Sequence, residues 1–192
     1  MEKEIYFEKM QAHLKPSIGL KAYLNYILQE DDFKRKKTIK LSDKLFDTLI
    51  FIESGTLRIY SRNEDGDTTI IFWFKKVFLP HMALLQQYAT DELYVEFLED
   101  SKILSFPQKH IPNLFKLFPE YRELEARIYQ SHISKILQHS SALAHLDTLQ
   151  RYEQLMETNP ELFNLCELKN IANFLGIHPK VLSLLRSKAA KR

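Results

Sequence analysis

Apolar residues recur every three or four positions at both ends of the chain and every second position in its middle. The pattern therefore predicts helix, then sheet, then helix. Phe7, Met10 and Leu14 form one stripe; after Pro16, Leu20, Tyr23, Leu24 and Ile27 form another, placing two helices within residues 1–30. From about Thr38 the period falls to two. Strands are predicted at 46–52, 56–62, 68–74, 93–98 and 102–106, with Leu57, Ile59 and Ser61 facing one side and Arg58, Tyr60 and Arg62 the other. Ser54-Gly55 and the Asp-Gly within 63–67 mark the turns between them. A short helical piece is expected around Met82–Gln87. The stretch 31–37 alternates in charge and reads as a solvated connection. Short strands at close spacing predict a small antiparallel barrel or jelly roll, in an α+β chain.

After Pro119 the helical period returns and runs to about Leu146. Leu117, Tyr121, Leu124, Ile128, His132, Ile136, His139 and Leu143 step by three or four, a seam of the kind that pairs helices. Ile133 and Leu137 broaden it. The same stripe serves equally to dock the helix on its own domain. His132 and His139 lie seven apart on the seam, where a histidine is a packing residue far more often than a ligand, and no metal site is assigned.

Residues 168–187 read as two short helices joined by a tight turn. Leu168, Ile171, Ala172, Phe174 and Leu175 make the apolar face of the first, and Val181, Leu182, Leu184 and Leu185 that of the second. Gly176 falls where a left-handed residue ends a helix, His178 where a side chain caps the next, and Pro179 at its first position. Helix, glycine-containing turn, helix is the pattern that lays its second helix in the DNA major groove.

Charge sharpens that expectation. From Leu168 onward there are six basic residues (Lys169, Lys180, Arg186, Lys188, Lys191, Arg192) and no acid, leaving 21 basic against 25 acidic residues before it. A basic end on an acidic chain points to a phosphate backbone, with Lys169, His178, Lys180, Ser183, Arg186 and Lys188 as the candidate contacts. The alternative is a helical hairpin packed on the rest of the chain with a solvated basic tail. The single cysteine, Cys166, excludes an internal disulfide and multi-thiolate metal sites, and is expected to be a small buried residue. No run of signal-peptide or membrane-span length is present, so a soluble, cytoplasmic protein is expected.

The series Phe51–Tyr60, the Glu-Asp-Gly hairpin, Val77–Leu85 and Leu98–Leu104, followed by a long helix and the two-helix unit, resembles the Crp/Fnr transcription regulators. The resemblance covers nearly the whole chain. It implies a cyclic-nucleotide-binding-like jelly-roll effector domain at 1–118, a dimerisation helix at 119–147 and a helix-turn-helix domain at 148–192. It also implies a homodimer on double-stranded DNA, with Tyr121, Leu124, Ile128, His132 and Ile136 at the dimer interface.

Two departures from the family pattern matter. Cyclic nucleotides are held there by a Gly-Glu pair and a following Arg-Ser or Arg-Thr, but this chain has Pro80-His81 and Asp91-Glu92 at those places. Two carboxylates where a phosphate would sit repel it, so His81, Asp91 and Glu92 become candidates for a different, unknown small-molecule effector, and no cofactor is expected. On the second helix, where the family usually reads bases with Glu and then Arg, stand Lys180 and Leu184. No strand pair is expected after Arg192. A ligand- or protein-binding module that has lost sequence-specific DNA recognition is therefore the alternative. An enzyme is not expected: no His-x-His, phosphate-cradling Gly-rich loop or Gly-x-Ser-x-Gly elbow occurs.

Overall fold

The computed structural model describes residues 3–64, 66–82 and 89–189. Helices α1 (Glu4–Gln11) and α2 (Ile18–Ile27) precede eight strands among the described residues. These are β1 (Gln29–Phe33), β2 (Thr38–Lys40), β3 (Ile50–Ser54), β4 (Leu57–Asn63), β5 (Gly66–Trp73), β6 (Val77–Leu79), β7 (Glu92–Phe97) and β8 (Ser101–Ser105). Six helices follow: α3 (Ile111–Leu117), α4 (Pro119–His145), α5 (Thr148–Thr158), α6 (Leu162–Leu165), α7 (Leu168–Phe174) and α8 (Pro179–Ala189).

The strands form two antiparallel sheets, ordered β1-β8-β3-β6 and β2-β7-β4-β5. This is the antiparallel jelly roll with helices that the two-residue period predicts. Alternation along β3 turns Ile50 and Ile52 into the barrel, with Leu57, Ile59, Trp73, Val95 and Phe97, and turns Phe51 outward. Phe51 meets Tyr6 of α1 edge-on at 5.5 Å. Around that contact α1, α2 and the first half of α4 cover the outer face of the first sheet with Met10, Leu20, Leu24, Tyr121, Leu124 and Ile128. Each such side chain, fully buried, contributes roughly 1.5–3 kcal/mol.

Two local expectations are corrected. Phe46 and Asp47 lie in a 3₁₀ turn, Lys44–Asp47, and not in a strand; the Asp43 side chain accepts from the Leu45 N–H and starts that turn. Asp31, Asp32 and Phe33 belong to the edge strand β1, which pairs with β8, and Phe33 stacks on Phe97 at 4.3 Å. An edge position lets the acids stay in water while the backbone is paired. β2 and β6 are short strands the period does not single out. The expected helical piece after Met82 falls on residues outside those described.

Gly55 links β3 to β4 at φ +101°, and a Cβ there would lie 2.0 Å from Ser101 Oγ and 2.9 Å from Ser101 Cα. Only glycine lets this turn pass against β8. At the other end of the chain, α5–α8 do not build their core alone. Tyr152, Leu155, Leu162, Ile171 and Leu182 pack with Phe72 of β5 and Leu98, which follows β7. Among the described residues no helix is long and apolar enough to cross a membrane.

Candidate functional site

The turn between α7 and α8 is built by hydrogen bonds that a left-handed residue makes possible. Gly176 sits at φ +64°; its N–H donates to Asn173 O at 3.0 Å and the Ile177 N–H donates to Ala172 O at 2.9 Å. That pair closes the end of α7 as a Schellman motif. The Lys180 N–H then donates to His178 Nδ1 at 3.2 Å, so His178 caps α8. Asn170, Ile171 and Ala172 are buried, and Leu182 anchors α8 beneath them.

The rest of α8 faces water. Lys180, Ser183 and Lys188 are exposed, and the Arg186 guanidinium lies 5.5 Å from the centre of the Phe163 ring. Lys169, on α7, is ion-paired with Glu167 at 3.0 Å, which holds the Glu167 carboxyl below its ordinary range. Val181 and Leu184, expected on the packing face, are 39% and 63% exposed. Leu182 and the half-buried Leu185 suffice for a helix that touches its support along one line.

A second feature lies between the barrel, α4 and the C-terminal helices. It is an apolar cavity of about 550 Å³. Ile59, Trp73 and Leu93 reach it from the barrel, Tyr129, His132 and Ile136 from α4, and Leu155 and Phe174 from α5 and α7. His132 is buried and its Nε2 lies 2.6 Å from Phe78 O, so that nitrogen donates to the carbonyl. Burial first, then the Lys135 and His13 charges, hold its pKa below the ordinary value against the opposing carbonyl contact. Among the described residues the buried indole N–H of Trp73 has no acceptor. His139 stacks on Phe174 at 4.0 Å between ring centres, and Phe174 meets Phe72 edge-on at 5.0 Å. The Thr69 N–H donates to Asn173 Oδ1 at 2.6 Å beside them. These contacts fasten α7 to both α4 and β5.

The three expected effector residues do not line this cavity. Glu92 is on the surface of β7, where the Lys40 ammonium and the Tyr94 hydroxyl engage its carboxylate and keep its pKa low. His81 is half-buried, its Nε2 3.9 Å from Asp47 Oδ1 and its carbonyl accepting from the Tyr129 hydroxyl at 3.1 Å. Asp91, also half-buried, precedes Glu92 outside the cavity wall. His81, Asp91 and Glu92 thus lie apart from this cavity, and Glu92 has a cation beside it.

The expected seam is corrected. Tyr121, Leu124, Ile128 and His132 are all buried within their own chain, the first three in the core shared with α1 and α2. A side chain already packed on its own barrel has no surface left for a partner. Ile136 is half-exposed, and Ile133, Leu137 and Leu143 join it as the apolar residues of α4 that remain in water. Cys166 is buried as expected, and burial pushes its thiol up to about 11. Among the described residues no group of three or more His, Cys, Asp or Glu is placed to hold a metal. Sequence reasoning missed the cavity and its closing residues, since Phe72, His139 and Phe174 meet only through tertiary packing.

Residues 30–117 match the family model of the cyclic nucleotide-binding domain. No curated protein matches the chain in sequence. Among solved structures the chain is similar to a protein from Eubacterium rectale described as a transcriptional regulator of the Crp/Fnr family. The identity is 18% and the TM-score 0.69, over 91% of this chain and 84% of that one. It is similar also to FixK2 of Bradyrhizobium japonicum, at 15% identity and a TM-score of 0.67, over 86% and 85% of the two chains. The c-di-GMP-responsive global regulator CLP of Xanthomonas campestris gives 15% and 0.64, over 91% and 92%. At these identities the likeness is one of fold.

Proposed function

We propose that this chain is a DNA-binding transcription regulator of the Crp/Fnr type, with α8 as its groove-facing helix and the apolar cavity as its effector site. The observation that carries the reading is the outer face of α8. Lys180, Ser183 and Lys188 stand in water on one side of a helix supported by Leu182 and Leu185, in a stretch with no acid from Leu168 onward. Cations and a hydroxyl on a presented helix suit phosphates and base edges, and the exposed Val181 and Leu184 suit thymine methyls. The regulator acts as a homodimer on a two-fold-related site, paired through the exposed stripe Ile133, Ile136 and Leu137 of α4.

Cyclic nucleotides are not its effector. The cavity wall is mostly apolar, and among the described residues no arginine lines it to fork a cyclic phosphate. Calorimetry with cyclic AMP and cyclic GMP is expected to show no saturable heat; micromolar binding of either overturns this part of the reading.

The second reading, a binding module without sequence-specific DNA recognition, draws on Leu184, an apolar residue where a base-reading arginine is usual in this family. A salt-titrated binding assay against random and genomic fragments separates the two. Selective retention of a two-fold-related site is expected. In that assay Lys180→Ala should cost about 1–3 kcal/mol at one base position if the lysine reads a base edge. An even loss across sequences with a shallower salt slope marks a phosphate contact instead. Uniform binding by the unaltered chain favours the module, and no DNA binding removes α8 from the groove.

A further inference from the structure

We propose that the cavity takes an amphipathic monocarboxylate, its apolar body against Trp73 and Phe174 and its head in a cationic recess beside Lys76 and Lys135. The proposal rests on reading the cavity as an effector site and adds the chemical class of the effector.

The recess holds about 110 Å³ and lies at the junction of α1, the turn between β5 and β6, and α4. Its polar lining is Lys9 of α1 and His13 just beyond it, Lys76 from the turn, and Ser131, His132 and Lys135 from α4. Among the described residues no carboxylate borders it. Glu8 lies 3.7 Å from Lys9 and Glu123 is held by Arg127, but among the described residues neither Lys76 nor Lys135 has an acid within ion-pair distance. Three ammonium groups around a small concavity leave a positive potential that a single negative charge would relieve. The imidazoles feel that field. His13 is held below its ordinary pKa by burial first and then by Lys135 and Arg127, and His132 by burial with Lys135 among the further causes.

The recess and the cavity share a wall, since Val77, His132 and Lys135 border both. Lys135 borders the larger space as well as the recess, so a ligand that fills the cavity with hydrocarbon can present a charged head to that ammonium. Trp73 and His132, both in the cavity wall, meet edge-on with ring centres 6.1 Å apart. A carboxylate offers a full negative charge and about four lone-pair sites to the ammonium groups, whereas an alcohol offers about two and no charge. The apolar walls make a polyhydroxylated or multiply charged ligand costly to desolvate.

Trp73 is the only tryptophan, so its fluorescence reports on the cavity directly. The intact chain is titrated with decanoate, decanol and acetate, and each titration is repeated by calorimetry. Decanoate is expected to saturate, decanol to bind about tenfold more weakly or worse, and acetate not to saturate in the millimolar range. The double variant Lys76→Met, Lys135→Met should bring decanoate to the level of decanol while leaving decanol unchanged. Equal binding of decanoate and decanol, or an undiminished preference in the variant, overturns the head recess and leaves the apolar effector site standing. No binding of either amphiphile by either method overturns the effector site and the proposal together.

Discussion

Two glycines in the same kind of backbone conformation separate steric from conformational cost. Gly55 (φ +101°) would drive a Cβ into Ser101, whereas Gly66 (φ +118°) has nothing within 4 Å of that position. Gly66→Ala should therefore cost only the backbone strain, about 1 kcal/mol, and Gly55→Ala that strain plus displacement of β8, at least about 3 kcal/mol. Urea midpoints of the two variants test the difference; equal losses would mean that β8 yields freely. His132 makes a pH prediction. In the unfolded chain it takes up a proton near the ordinary value of 6.5, but folded it resists protonation because it is buried beside Lys135. The unfolded form then binds more protons, so the stability it contributes is complete above that pH and declines as pH falls through the folded value. Between pH 7.5 and 5 the urea midpoint should fall, and His132→Gln should flatten the slope; an unchanged slope would assign the effect to other histidines.

On the scale of the element, α4 changes role along its length. Its first half is a wall of the barrel core, through Tyr121, Leu124 and Ile128, and its second half presents Ile133, Ile136 and Leu137 to solvent. Ile128→Glu should unfold the chain, because a buried carboxylate with no partner costs several kcal/mol. Leu137→Glu, outside the cavity wall, should leave the melting temperature of the monomer unchanged and dissociate the dimer in sedimentation. A dimer that survives Leu137→Glu would move the interface off this stripe. The helix itself was legible from its spacing, but the role of each position was not. A barrel and a second copy both ask for apolar residues every three or four positions, and the period carries no mark of which is there. Strands β4, β5, β7 and β8 were legible as short apolar runs bounded by turn residues, although β8 is buried on both faces, Ile103 in the barrel and Leu104 in the core with α1, α2 and α4. β1 was hidden by its acids, which an edge strand tolerates. The turn at Gly176 and the cap at His178 could be read because both are local. The cavity could not, since residues from three separate parts of the chain enclose it.

For the whole molecule the important fact is that the C-terminal helices and the barrel share a core. Phe72 and Leu98 belong to it as fully as Leu155 or Leu182. The intact chain should therefore melt in one calorimetric transition, with no separate event for the last four helices. Two resolved transitions would show the shared core to be weak. β5 lies at the centre of this arrangement: Trp73 turns inward to the cavity and its neighbour Phe72 turns outward to Phe174. Such a joint makes the chain poor material for cut-and-paste. Excised, the stretch from Asp147 onward would expose the side of α7 that β5 now covers, and a unit of that size has little apolar surface to spare. A chimera carrying these helices on another barrel would need a phenylalanine at the place of Phe72 and a backbone donor at that of Thr69 before the transplanted part could settle. Kinship in outline would not be enough to make the pieces interchangeable.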